Sequence, residues 1–374
     1  MNLLPRRYGS GSTARYCFGA VRWSLVVLLV FELALRTFVM RLPRTVYKPG
    51  WGIVPADHST SMQGREGYAV QEYLQNGEIK TPYSGGGISI VVLGDSTVQA
   101  AQVNDVDNFV SLTETALRVQ GVAADLHNLG APERTIADYV FLAPVLREAY
   151  RPDYVIIQAG PASFSLSLLP EHTNHFVETE DGGLRLIHMD EADDMAFNKK
   201  EQFYSSSLLA FLNFRWQVMR EESSADHAEG LWRWANESRP PRIMEEREIL
   251  ARENDTGSTD VFDSISLQVN EIREAYVGSE IIFLVVPYTP GIPHDGEEAV
   301  SWNSQIDNRL RLTLSGLEGV RVVDAGIFFR KYYEKYSVLP RGSFNSAFNF
   351  GHLNRYGHEA VALALTDFLE DLLK

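Results

Sequence analysis

The sequence predicts an α/β fold in which a parallel sheet of five strands is covered by helices on both faces. Three observations predict it. Short runs rich in β-branched residues recur from Ile88 onward, segments with apolar residues at helical spacing separate them, and glycine or a polar turn stands where several of the runs stop. Strands that alternate with helices build parallel sheets, because each crossover lays a helix on a face of the sheet.

The elements follow in order. Ile88–Leu93 is the first strand, set off by Gly85-Gly86-Gly87 and stopped by Gly94-Asp95-Ser96. Apolar spacing predicts a helix over Phe109–Val119, then a short second strand over Ala124–Leu129 ending at Gly130. A helix over Ile136–Tyr150 is bounded by Arg151-Pro152, since the residue before proline is driven out of helical geometry. The third strand is Asp153–Gln158, the fourth Ile281–Pro287 and the fifth Val320–Asp324, and a last amphipathic helix runs from Arg355 to Leu373. The interval 161–260 breaks this rhythm, with Trp216, Trp232 and Trp234 among many charges. It reads as an insertion or lid after the third strand, where substrate selectivity would reside.

The amino-terminal part reads differently. Residues 23–40 are mostly apolar, and as a helix they would span about 27 Å, close to the roughly 30 Å of bilayer hydrocarbon. Two charges interrupt the run. Glu32 and Arg36 stand four apart with the acid first, so they can pair on one face. No small-residue cleavage signature follows, which favours an uncleaved anchor. The expected organisation is a short cytoplasmic segment at 1–22, an anchor at 23–40, a loop-rich connector at 41–87 and an extracytoplasmic catalytic body at 88–374.

Charge and cysteine narrow the function. The 374 residues carry a formal charge of −15, and the asymmetry is stronger than that figure implies. Up to Lys48 there are eight basic residues and one acid, so the remaining chain holds 26 basic and 48 acidic groups, a formal −22. Such a body repels phosphate, and nucleic acid is not an expected partner. The single cysteine, Cys17, excludes an intrachain disulfide and places no thiol in the body. The pair His172 and His175, near Glu171 and His188, lacks the spacing and partner acid of a zinc helix, so no metal is expected.

Ser96 sits where an open α/β sheet presents its chemistry, at the carboxyl end of a strand. A serine at a helix start exposes its hydroxyl and brings its own N–H to where negative charge is stabilised. Asp95 and Ser96 are also favoured helix caps. Near the other end of the chain, Gly351-His352-Leu353-Asn354 precedes the last helix, on the same predicted rim. Serine is a weak nucleophile until a base takes its proton, so this pairing points to acyl transfer.

With these blocks the chain resembles the SGNH (GDSL-type) hydrolase superfamily. The resemblance rests on Gly94-Asp95-Ser96, on Asn128-Leu129-Gly130 through Thr135, on Asp153 to Gly160, and on His352-Leu353-Asn354 followed by Gly357-His358. It implies a three-layer flavodoxin-like fold, serine esterase or acyltransferase chemistry and no cofactor, with Ser96 as nucleophile and His352 as base. It further implies that Asn128, Gly130, Glu133 and Ala162 line the oxyanion and substrate site.

Three positions depart from the family pattern. Asn349 stands where the family has an Asp three residues before the histidine, and Asp324, ending the fifth strand, either replaces that acid or caps the helix after it. Glu133 stands where the family has a glycine, and Ala162 where it has a hydrogen-bonding Asn; Ser163 and Gln99 are nearby donors. The resulting expectation is a membrane-anchored esterase cleaving acyl esters, such as acetyl groups on surface glycans or small esters. A glycan O-acetyltransferase and an inactive binding subunit of the same fold are the alternatives.

Overall fold

The computed structural model describes residues 10–39, 41, 45–64, 66–83, 85–189, 208, 211–212, 216, 242–243, 259–287, 299–300, 305–343, 345–346 and 351–374. The central strand is β5 (Ile88–Leu93), whose last four residues are buried. On one side it pairs with β6 (Ala124–Asn128), on the other with β7 (Tyr154–Gln158), and the sheet continues through β10 (Glu280–Val285) to β11 (Val320–Asp324). All four pairings are parallel, and the spatial order is β11-β10-β7-β5-β6.

Side chains alternate across a strand, so a strand buried on both faces is apolar throughout. In β5, Ile90 and Val92 join one core, whereas Val91 and Leu93 join the other. The first core is closed by α3 (Phe109–Val119), α8 (Gly326–Tyr336) and α9 (Arg355–Leu373), through Phe109, Phe329, Val361 and Leu365. The second is closed by α4 (Ile136–Tyr150), α6 (Thr259–Ala275) and α7 (Gln305–Ser315), through Tyr139, Leu142, Ile265 and Leu310. The result is a three-layer α/β/α body. Burying each such side chain stabilises it by about 1.5–3 kcal/mol.

The helix α1 (Ser10–Phe38) contains a stretch, Cys17–Phe38, of 22 residues with mean hydropathy 1.9, long and apolar enough to cross a membrane. Its Leu25, Leu29 and Leu33 face outward, and Glu32 pairs with Arg36 at 2.6 Å.

Residues 41–87 differ from a loop-rich connector. They hold two antiparallel hairpins, β1 (Thr45–Lys48) with β2 (Gly52–Pro55) and β3 (Thr60–Gln63) with β4 (Ala69–Glu72). Four-residue strands between glycines and prolines leave too short an alternation to be read as sheet. Side chains fasten the segment to the body. The buried Glu78 meets His127 of β6 at 2.8 Å and accepts from the Tyr150 hydroxyl of α4 at 3.1 Å. Gln71 donates to the carbonyls of Gln99 and Ala100, just behind Ser96.

Most of the predicted 161–260 insertion lies outside the described residues. Its described start is a short helix, α5 (Pro161–Leu166), and a hairpin of β8 (Asn174–Glu178) with β9 (Leu184–His188). Within that hairpin His175 bonds the His172 carbonyl, and His188 stacks on Phe141 with centroids 4.3 Å apart.

One buried base shapes acid stability. His358 in α9 is 1% exposed and stacks on Phe109, whose N–H donates to its Nδ1 at 3.4 Å. Its Nε2 has no partner among the described residues. Burial, reinforced by the Arg341 charge, pushes its pKa down from 6.5 to about 3. The unfolded chain therefore binds the extra proton first as pH falls. The stability held by the neutral ring is complete above about 6.5 and drains away toward about 3, at up to ~1.4 kcal/mol per pH unit. Urea unfolding from pH 7 to pH 4 should show this slope, and His358→Leu should flatten it.

Candidate active site

Ser96 opens α2 (Ser96–Gln99), directly after β5. Asp95 caps that turn, its Oδ1 accepting from the Thr97 N–H at 2.7 Å, so the acid in Gly-Asp-Ser is structural here. The turn is seated against the neighbouring strand's loop. Gly130 packs so closely that a Cβ there would lie 2.2 Å from the Gln99 nitrogen, and only glycine admits α2 at this distance. Asn128 completes the seat, donating to the Val98 carbonyl at 3.1 Å and accepting from the Gly130 N–H at 3.1 Å. Asn128 and Gly130 thus hold the turn that bears Ser96.

His352 arrives from the other end of the chain. Leu353, 1% exposed, drives into the first core, which turns its neighbour outward toward the rim. Asn354 caps α9, accepting from the Gly357 N–H, while its amide donates to the carbonyls of Leu339, Arg341 and Gly342. Arg341, itself buried, donates to the Gly351 carbonyl at 3.0 Å. The loop is therefore fixed on both sides of the histidine.

The two side chains meet. His352 Nε2 lies 2.9 Å from Ser96 Oγ, across 256 positions of sequence. The ring's other nitrogen, Nδ1, lies 2.7 Å from Glu66 Oε2, and the His352 N–H donates to Glu66 Oε1 at 2.6 Å. A carboxylate only accepts, so the proton sits on Nδ1 and the Nε2 lone pair faces the serine hydroxyl. That is the tautomer a general base requires. Glu66 is 4% exposed, in the loop between β3 and β4.

The grip on Glu66 depends on Gly351, whose φ is +86 and whose absent Cβ would strike Glu66 Oε1 at 2.2 Å. Asn345 clamps the same loop from the other side. Its Oδ1 accepts from the Gly67 N–H at 2.6 Å, and its Nδ2 donates to the carbonyls of Gly64 and Gly67 at 3.0 Å. Those residues bracket Glu66. Asn345→Ala should lower kcat about 10- to 100-fold with KM little changed, the scale for losing the alignment of a reacting group. In a Glu66→Ala background the same change should have no kinetic effect.

Asp324, the expected acid, is placed elsewhere. Asp324 Oδ1 accepts from the Gly326 N–H at 2.8 Å, at the start of α8, and Oδ2 lies 3.5 Å from Arg311. It serves the helix end and an ion pair, and the imidazole is occupied by Glu66. Asn349 lies outside the described residues. Glu66 was missed because the contact spans 286 positions and enters from a segment read as connector. The available signal was an acid between two glycines, Gly64-Arg65-Glu66-Gly67.

Glu133 stands in the loop after β6, and Ala162 follows β7. Glu133 has φ +60, a conformation that favours glycine. Ala162 lies in the first turn of α5 and brings no side-chain donor. Ser163 Oγ accepts from the Gly160 N–H at 3.2 Å, and Gln99 Nε2 lies 3.5 Å from the Tyr73 hydroxyl. A cavity of about 600 Å³ lined by Gly86, Gly87 and Ile88 lies at the amino ends of the strands, on the opposite rim. Among the described residues no three His, Cys, Asp or Glu side chains gather as a metal site.

No protein-family model and no curated protein matches this sequence. Solved structures similar to it include the psychrotrophic esterase EstA from Pseudoalteromonas sp., at 11% identity, 76% of this chain, 98% of the other and a TM-score of 0.37. A lipolytic G-D-S-L family protein from Veillonella parvula follows at 9% identity, 75% and 97% coverage, and a TM-score of 0.37. An acetylxylan esterase from Geobacillus stearothermophilus has 12% identity, 76% and 94% coverage, and a TM-score of 0.36. Likenesses this distant do not decide a reaction, which must be argued from the side chains.

Proposed function

We propose that the chain is a serine esterase of the SGNH (GDSL-type) superfamily, anchored in a membrane by α1, with Ser96, His352 and Glu66 as its triad. The observation that carries this reading is the unbroken series of hydrogen bonds from the Ser96 hydroxyl through the imidazole to a buried carboxylate.

In this mechanism His352 Nε2 takes the Ser96 proton as Oγ attacks the ester carbonyl. Glu66 holds the ring in its working tautomer and stabilises the imidazolium that forms. The backbone N–H groups of Ser96 and Glu133 receive the oxyanion. Collapse expels the alcohol, which takes its proton from His352, and water activated by the same base then releases the acid from the acyl-enzyme. With Ala162 in place of a side-chain donor, the oxyanion site works with one hydrogen bond fewer, a loss of about 10²–10³ in rate.

The test is covalent labelling. A fluorophosphonate probe should modify the purified full-length protein once, at Ser96, and should compete with turnover of a p-nitrophenyl acyl ester. Absence of both in a folded protein would replace this reading with that of a non-catalytic binding subunit.

A further inference from the structure

We propose that the substrate is an ester borne by a bilayer amphiphile and presented in the headgroup layer beside α1. The inference rests on the serine-esterase reading above and on α1 as a membrane span.

The first observation is the absence of a spacer between helix and site. The Val39 N–H still bonds the Leu35 carbonyl as α1 ends, and two residues later Arg41 pairs with Met62 of β3 through both backbone hydrogen bonds. Gly64 lies against the helix end so tightly that a Cβ there would be 2.4 Å from the Val39 carbonyl oxygen. Glu66 is two residues further on, at most about 8 Å of chain. The headgroup layer is itself only roughly 5–7 Å deep on each side of the hydrocarbon. The triad acid is thus bound to the point where the chain leaves the membrane.

The second observation lies deeper. Glu32 precedes Phe38 by six residues, about 9 Å along the helix and within the hydrocarbon. Its Oε1 pairs with Arg36, and its Oε2 accepts from the Leu208 N–H at 2.8 Å. Leu208 follows β9 in the chain. Leu208, Leu212 and Trp216 each have helical backbone. Leu212 is 53% exposed and Trp216 66%. Exposed leucine and tryptophan beside a membrane helix match the chemistry of a bilayer interface.

These features favour one substrate class on energetic grounds. Lifting an acyl chain out of a bilayer costs about 0.8 kcal/mol for each CH₂ exposed to water. A site fastened to the helix exit receives the ester while the chains stay in hydrocarbon.

The experiment uses the full chain reconstituted in phosphatidylcholine vesicles. It is given two acetyl esters of one coumarin dye, one water-soluble and one held in the bilayer by two alkyl chains. The bilayer-borne ester should be turned over about tenfold faster or more at equal bulk concentration, through confinement with the enzyme. Leu212→Ser combined with Trp216→Ser should reduce that preference while soluble-ester turnover, which also reports correct folding, stays unchanged. Equal or faster turnover of the soluble ester, or of an acetylated oligosaccharide, overturns the inference, as does a preference indifferent to the double variant. Turnover that persists in Ser96→Ala would instead defeat the esterase reading. Ser96-dependent turnover without a bilayer preference defeats only the substrate assignment.

Discussion

Exchanging Ser96 or His352 for alanine is expected to lower kcat by about 10⁶, and the double variant should be no slower than either single one. Nucleophile and base act as one unit, so removing the first member already removes what the second contributes. The geometry behind this expectation is the 2.9 Å contact between Ser96 Oγ and His352 Nε2. Residual catalysis above water would come from binding and backbone N–H groups alone. Single-turnover kinetics with an activated ester, alongside circular dichroism of each variant, measures the effect. A double variant slower by the product of the single effects would mean that the two residues act independently. Neither substitution should cost much stability, since both side chains lie on the open rim.

Glu66→Gln is expected to lower kcat by about 10⁴, the cost of replacing a triad carboxylate by its amide. The amide can donate to Nδ1 and so stabilise the wrong tautomer, and it carries no charge to balance the imidazolium. Asp324→Asn, by contrast, should leave kcat within about twofold, its effect confined to the helix cap and the Arg311 contact, which is worth at most ~1–2 kcal/mol of stability. The comparison is sharp because both residues are acids that a sequence reading could assign to the triad. A loss of activity in Asp324→Asn with full activity in Glu66→Gln would reverse the assignment. Glu66→Gln should also destabilise the fold modestly, since Glu66 is buried and accepts from the His352 N–H.

Much of the architecture was legible because it is local. The β-branched run Ile88–Leu93 is buried on both faces, and Ile136–Tyr150 carries its helical spacing to a proline boundary. The meeting of Ser96 with His352 follows from topology, since parallel strands and the loops before their helices deliver residues to one rim. Glu66 was not legible for the opposite reason. It belongs to a hairpin of four-residue strands outside the parallel sheet, and the residues that hold it and its loop, Gly351, His352 and Asn345, lie far along the chain. The flanking glycines mark a turn but not a buried carboxylate. Asp324 drew notice because it ends a sheet strand, a position that promises chemistry but here supplies a helix start.

The wedding of both chain ends at the imidazole has a biosynthetic corollary. Ribosomes emit the carboxylate and the hydroxyl first, and the base only 256 residues after the hydroxyl. Under the triad proposed above, a nascent polypeptide stalled before that point holds its hydroxyl and carboxylate with no imidazole to join them.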